Sequence, residues 1–379
     1  MRPIRKIAFL LDEFGAASPA QQLLDRFLIG YPRDGAMRKL ERSKVSAYLA
    51  VSAEANFGMR QEEFQLVVAS TAEQAVAGAD AVVIVSRRPG TLANEAFLRI
   101  ALEQAPEGAA CFVHGVLANS LASARSFAAK AASRRIALLA GTPLSVTWRL
   151  PEMNLPLGTP LTEALIVVQV NPVAIQATPP SPPATLGGAE LQALDGLLPV
   201  IERRRGGESG IRSVRYLEGK SIWRAGEKSL WSWPLLAAAL SRSHTPQGDA
   251  VLDGRTQDLA GLGLVPKLAR NPRGWLLDHR DGLRTAILVL DGVVADFNFA
   301  VRLQRGDVLS AQLFRAPPPA EHHFSRLAAA MEDFFRDGPR PWPVERNLLI
   351  AGLLEIFRKP SSLSGQRVEV PELSIAYSA

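Results

Sequence analysis

The sequence holds a single cysteine in 379 residues. That excludes an internal disulfide, and Cys111 lies in an apolar run that places it in a core. Long apolar segments are missing too, so no stretch is expected to span a bilayer. The run IAFLL near the N-terminus meets Asp12 and Glu13 before it reaches the length of a signal-peptide core, and the expected location is the cytoplasm. A basic stripe interleaved with aromatics is absent. The net charge of +6 is scattered, and its densest run, Arg203-Arg204-Arg205, follows a helical pattern whose dipole it complements. Neither nucleic acid nor membrane is an expected partner. There is no P-loop, no zinc spacing and no nucleophilic triad. His322 and His323 are adjacent on a predicted helix, point in different directions and lack a third ligand at useful spacing, so no metal is expected.

What is present is a folded chain, 47% hydrophobic and 21% charged, long enough for two domains. The stretch AGTPLSVTWRLPEMNLPLG, residues 140–158, divides it. Before this stretch, short apolar runs at 7–11, 45–51, 64–68, 81–85, 109–113 and 136–140 alternate with helical patterns. Ser18, Pro19 and Gln21 supply an N-cap, a first-turn proline and a capping glutamine for the first of those helices, which stops at Gly30. Alternating strands and helices predict a Rossmann-like, doubly wound parallel sheet over residues 1–142, the α/β part of the chain. Residues 143–379 read as α+β, with an open, mostly antiparallel sheet. Strands at 161–170 and 211–217 precede a meander at 282–290, 296–303 and 308–314. Helices at 321–336 and 344–357 and a final strand at 366–376 follow. Ligand clefts favour the junction of two such domains and the carboxyl ends of parallel strands.

The chemistry of the first domain departs from its layout. A pyrophosphate-binding turn needs glycines so that the backbone can approach the phosphates. After the first strand this chain has LDEFGAASPA, with Gly15 alone and two carboxylates beside it. The acid that would hold ribose hydroxyls is Glu54, later than usual. If a dinucleotide binds, Gly15, Ser18, Glu54 and Ser86 are the expected contacts; the alternative is a domain that keeps the fold and has lost or altered the cofactor. His114 ends the fifth strand, where catalytic groups of such sheets sit, or is a strand-end histidine satisfied by backbone. His244 is a candidate acid or base, or a surface histidine before Thr245-Pro246. In the polar segment 241–259, Asp253, Arg255, Gln257 and Asp258 form a possible fan of donors and acceptors for hydroxyls, with Arg255 able to clamp a carboxylate. The plainer reading is a turn at Asp253-Gly254 and a solvated Arg255–Asp258 pair. Trp148 and Arg149 place an aromatic face and a cation at the crossover, or plug it, with Arg149 paired to Glu152. Trp223, Trp231 and Trp233 read as carbohydrate-stacking rings or as packed core. An open sheet with one bare face predicts a homo-oligomer, a dimer or a complex with a related subunit, built through strands 282–314.

The run HFSRLAAAMEDFFRDGPRPWPVERNLLIAGLLEIFRKPSSLSGQRVEVP resembles the closing segment of Gfo/Idh/MocA-type oxidoreductases. The shared features are Phe335, Gly338 and Pro341, the helix at 344–357, then Ser364-Gly365 with Val368 and Pro371. RFLIGYP, the 140–158 stretch, GRTQDL and PVERNLLIAGLLE are similar to a poorly characterised bacterial branch of that family. The resemblance implies NAD or NADP in the first domain and a sugar, polyol or similar hydroxylated substrate against the second sheet. It also implies a lysine after the fifth strand, in an E-K-P-like segment, and an Asp and His in the second domain. Here the lysine position holds His114 or Gly115, and no D-x-x-x-H pair is evident. Two functions follow. One is an oxidoreductase on a hydroxylated metabolite with atypical catalytic groups and a weakly held or absent nicotinamide. The other is a non-catalytic relative that binds a metabolite or a partner subunit.

Overall fold

The computed structural model describes residues 4–40, 43–51, 55–86, 92–169, 188–245, 258–336, 340–360 and 365–379. In chain order the first elements are β1 (Lys6–Leu11), α1 (Pro19–Leu28), β2 (Tyr31–Arg33), β3 (Ala36–Arg38), β4 (Lys44–Leu49), α2 (Ala55–Phe64), β5 (Val67–Val68), α3 (Ala72–Val76), β6 (Ala81–Val85), α4 (Leu92–Gln104), β7 (Ala110–His114), α5 (Leu121–Ser133) and β8 (Ala137–Gly141). Next come β9 (Arg149–Leu150), β10 (Leu161–Val168), α6 (Gly188–Ile201), β11 (Ile211–Glu218), α7 (Lys220–Glu227), α8 (Trp233–Leu240) and α9 (Val265–Leu268). The chain closes with β12 (Arg270–His279), β13 (Arg284–Asp291), β14 (Phe297–Leu303), β15 (Val308–Leu313), α10 (His323–Phe335), α11 (Val344–Phe357) and β16 (Arg367–Glu369). They form two compact units: Met1–Thr147 with Arg315–Ala351, and Trp148–Phe314 with Gly352–Ala379.

The first unit carries an all-parallel sheet in the order β5-β4-β1-β6-β7-β8. The sheet order reverses between β1 and β6, as in the doubly wound layout. β6 and β7 are buried along their whole length, as strands covered on both faces must be. The start of α1 forms as its residues dictate. Ser18 is the N-cap and accepts from the Gln21 N–H at 3.2 Å, Pro19 opens the helix, and Gln21 Oε1 accepts from the Ala17 N–H at 2.6 Å. The hairpin β2–β3 was not legible from the hydrophobic pattern, because β3 is exposed throughout. It turns on Asp34 and Gly35, at φ 52° and 79°, the left-handed pair that a tight hairpin demands. Its strands are held by side chains: Tyr31 Oη donates to Glu332 at 2.6 Å, Arg38 also binds Glu332, and Arg33 grips Asp333 at 3.0 and 2.9 Å.

The second unit carries a mixed sheet in the order β16-β11-β12-β13-β10-β14-β15-β9. Its pairings are antiparallel except β10 with β13. The expected meander is therefore corrected in part. β14 and β15 form a hairpin, but β10 is inserted between β13 and β14. The end of β10, Leu165–Val168, is fully buried and needs partners on both edges. The 292–296 connection only has to cross two strand spacings, about 10 Å. The longest strand, β12, escaped the sequence pattern because Pro272 and Gly274 interrupt it. A register shift between Arg270 and Arg273 accommodates the proline. A Cβ at Gly274 would lie 3.0 Å from Leu288 Cδ2, so the glycine permits close strand packing. The expected closing strand shrinks to β16 and a single 3₁₀ turn at Pro371–Leu373.

The expectation of a bare sheet face also needs correction. Leu165, Val167, Ala286, Leu288 and Ala300 pack on one face in a cluster with Ile222 and Ala225 of α7 and with Leu235, Leu236 and Ala239 of α8. Their neighbours Ile166, Val168, Ile287, Val289, Phe299 and Val301 face the other way and are fully buried as well. Both faces of strands 282–314 are thus covered within the chain, and the argument for a dimer through a bare face falls.

Candidate functional site

The turn from β1 to α1 is where a parallel sheet of this order would meet a dinucleotide. Here it is built around a large side chain. Phe14 is fully buried, edge-on to Phe57 of α2 at 5.2 Å, with Arg60 over its ring at 5.6 Å and tied to Asp25. The residue with left-handed backbone is Ala17, at φ 58°, not a glycine. The amides that open the helix are largely spoken for. Ser18 N–H donates to Gly15 O at 3.1 Å, Pro19 has none, and Gln21 N–H and Ala17 N–H are held as above. A pyrophosphate draws on free amides and on a backbone it can approach closely, and this turn offers few of either. The residues present do not fit the group in its usual manner. The hydroxyl of Ser86, after β6, is buried and bonded to Asn94 of α4. Glu54 lies outside the described residues.

His114 ends β7 and is paired in register with Gly141 at the end of β8. It is only 6% exposed; its ring stacks on Phe324 at 6.2 Å, and among the described residues Nδ1 has no hydrogen-bond partner. Burial pushes its pKa down to about 4, so the imidazole is neutral at pH 7. On α10, His323 is likewise buried, its pKa lowered to about 3 by burial and then by Arg315 and Arg26, while the adjacent His322 is exposed. Arg26 itself is saturated, donating to Gln22 O and Oε1, Ala320 O, Glu321 O and Ser325 Oγ.

In the second unit, Arg149 on β9 donates from Nη1 to Met153 O at 3.0 Å and to Asn154 Oδ1 at 3.4 Å. Trp148 is 38% exposed and meets Phe314 edge-on at 6.3 Å. Asp258 is exposed and caps its own turn by accepting from Gly261 N–H at 2.8 Å. Asp253, Arg255 and Gln257 lie outside the described residues. His244 is an exposed residue whose backbone N–H donates to Asp296 Oδ2 at 2.9 Å. Of the tryptophans, Trp231 is core, with its indole N–H on Ile222 O at 2.9 Å, while Trp223 and Trp233 are partly buried and stacked at 5.9 Å.

The pattern of single residues gave no hint of Asp296. Besides His244 N–H it accepts from Ser243 Oγ at 3.0 Å, from Gln312 Nε2 at 2.5 Å and from Asn298 Nδ2. The one signal that could have found it is polar residues at inward positions of β14 and β15. Among the described residues no group of three or more His, Cys, Asp or Glu side chains is placed to hold a metal ion, and no helix is long and apolar enough to cross a membrane.

No family model matches the sequence, and no curated protein matches it. Solved structures do match in fold. A myo-inositol dehydrogenase from Lactobacillus casei, in complex with NAD(H) and myo-inositol, aligns at a TM-score of 0.56 and 13% identity over 97% of each chain. A biliverdin reductase from Synechocystis, in complex with biliverdin and NADP+, gives 0.54 and 14%, covering 96% of this chain and 99% of that one. A UDP-N-acetylglucosamine 3-dehydrogenase from Acidithiobacillus ferrooxidans gives 0.53 and 12%, covering 94% and 97%. At these identities the likeness is one of fold. The Gfo/Idh/MocA resemblance holds at that level, across both units.

Proposed function

We propose that this chain is a divergent oxidoreductase of the Gfo/Idh/MocA type that acts on a sugar, polyol or similar hydroxylated metabolite with a loosely held NAD or NADP. The observation that carries the reading is the near-complete alignment of a six-stranded parallel sheet and an eight-stranded mixed sheet with dehydrogenases of that fold. In this reading His114 stands where the family has a lysine. As a neutral ring it offers the reacting hydroxyl a hydrogen bond and no positive charge. Arg149, Asp253, Arg255 and Gln257 contribute substrate contacts, and His244 and Asp258 are the further catalytic groups beside His114. The protein is cytoplasmic.

The β1–α1 turn favours a second reading, a non-catalytic relative that binds a metabolite or a related subunit. Its filled interior and committed amides predict that NAD(H) and NADP(H) bind with a Kd on the order of 0.1 mM or weaker. Calorimetric titration checks this, and a low-micromolar Kd for either cofactor would show that the turn admits a pyrophosphate after all. Absorbance at 340 nm with a panel of hexoses, hexitols and inositols at millimolar cofactor then separates the two. Turnover supports the enzyme; saturating cofactor without turnover, or no binding at all, supports the non-catalytic relative.

A further inference from the structure

We propose that the groove between residues 155–160 and the β14–β15 turn binds a small amphipathic anion, a single aliphatic chain ending in a carboxylate. The inference goes beyond the oxidoreductase reading and does not depend on it. The groove lies at the opposite end of the β14–β15 hairpin from Asp296 and from Trp148, whose carbonyl meets the Phe314 N–H.

The apolar part of the ligand follows from the walls. The cavity has a volume of about 620 Å³, inside the range of roughly 300–1,000 Å³ that small-molecule sites occupy. Leu155, Leu303 and Leu309 line it with Pro156 and Pro160, and no aromatic ring among the described residues does. The polar groups of the 155–160 wall are already committed. Leu155 O accepts from Arg203 Nε at 2.6 Å, and Pro156 O from the Thr159 hydroxyl at 2.7 Å. Thr159 O accepts from the Arg205 N–H at 3.2 Å, and Pro160 O from the Gln304 N–H at 2.9 Å. Neither proline has an N–H to offer. A sugar or an added strand needs a row of free donors and acceptors, which this wall has spent on itself. A saturated chain asks for none and gains by leaving water.

The charged end follows from the rim. The densest basic run of the chain divides there. Arg204 turns inward to Glu208 and Asp281, while its two neighbours stay beside the groove. The bond from Arg203 Nε to Leu155 O lays that guanidinium against a lining residue, and the backbone of Arg205 is tied to Thr159, another lining residue. Among the described residues neither Arg203 nor Arg205 meets a carboxylate. Arg305 lines the cavity itself, with its side chain 77% exposed and paired to the exposed Asp307. So open an ion pair holds its partners weakly and leaves the arginine able to take another anion. An aliphatic slot rimmed by guanidiniums matches an apolar body with one anionic end, because the guanidinium fork fits a carboxylate.

The test is methyl NMR of the full chain labelled at leucine, titrated with hexanoate, octanoate and decanoate below their micelle concentrations and without nicotinamide. The methyl signals of Leu155, Leu303 and Leu309 should shift. The Kd should fall about fourfold for each added methylene, the equivalent of about 0.8 kcal/mol per buried CH₂. Decanol, which carries the chain without the charge, should bind at least several-fold more weakly than decanoate. Leu309→Gln and Arg305→Glu should each weaken decanoate by at least several-fold. Arg305 is exposed, so its variant keeps the test sound if the leucine variant fails to fold. No shift at the three leucines, a Kd indifferent to chain length, decanol binding as tightly as decanoate, or affinity unchanged in Arg305→Glu would each overturn the site. So would binding of the protein to anionic phospholipid vesicles with no response to decanoate, which would make the groove a membrane contact. Because no cofactor enters the titration, these outcomes leave the oxidoreductase reading untouched, and an absence of turnover leaves the groove standing.

Discussion

Arg204→Ala is expected to lower the unfolding free energy by about 3–5 kcal/mol at pH 7, the usual result of removing one partner from a buried charge network. Arg204 donates from Nη1 and Nη2 to Glu208 at 3.0 and 3.2 Å and from Nε to Asp281 at 2.7 Å. Glu208 is fully buried and also receives His279 Nδ1 at 2.9 Å and the Gly210 N–H at 2.8 Å. The backbone of Glu208 exchanges two hydrogen bonds with Tyr377, at 2.8 and 2.9 Å, so the network anchors the C-terminal segment to the second unit. Without Arg204 a carboxylate stays buried with half its support gone.

The pH dependence identifies the cause. Burial alone would raise the pKa of Glu208, but His279 and Arg204 together hold it down at about 2, below its ordinary value of 4.5. Its contribution is therefore complete above pH 4.5 and is lost as pH falls towards 2. The gap between wild type and Arg204→Ala should be widest near neutrality and close in that acid window. His114 and His323 act over a different range. Their folded pKa values of about 4 and about 3 lie below the ordinary 6.5, so the unfolded chain takes up protons first and stability falls from pH 6.5 downward in both proteins. Urea unfolding at pH 7, 5 and 3 reads both effects. A difference under about 1 kcal/mol at pH 7, or one that grows on acidification, would remove Glu208 from the account.

Much of the first unit was legible because its signals are local. Ser18, Ser120 and Thr71 cap helices where their residue types predict, and β6 coincides with its apolar run. The elements that escaped are those whose stability is not local. β3 is wholly exposed and held by Glu332 nearly three hundred residues away, and β12 tolerates Pro272 only through a bulge set by its neighbour. α2 has a weak apolar face, and α7 a short one, so neither separates from loop by periodicity alone. The site suffered in the same way. His114 stood out as a candidate because it ends a parallel strand, where catalytic groups of such sheets sit. Asp296, Asn298 and Gln312 become a group only once β14 and β15 are paired, and no spacing in the chain announces that pairing.

Trp342→Ala should cost a similar amount, about 3–5 kcal/mol, and should disturb the strand end that carries His114. The indole is buried in the first unit's core, with Arg346 over its ring at 5.1 Å. Its N–H donates to Ala140 O at 3.0 Å, beside Asn347, which accepts from the Ala140 N–H at 3.0 Å and donates to the same carbonyl at 2.6 Å. The ring also occupies the space above Gly141, where an added Cβ would lie 2.7 Å from Cζ2. Gly141 is the register partner of His114, and its carbonyl accepts the Gly115 N–H at 2.9 Å. Removing the ring thus deletes a large apolar contact and one hydrogen bond, and frees the end of β8 against which β7 terminates. Trp342→Phe loses the hydrogen bond but keeps most of the apolar contact, so its cost should stay near 1–2 kcal/mol. Urea denaturation gives both values, and the imidazole resonances of His114 report whether the strand end moved. If Trp342→Ala unfolds within about 1 kcal/mol of wild type, or is no worse than Trp342→Phe, the ring does not brace β8 and the placement of His114 depends on something else.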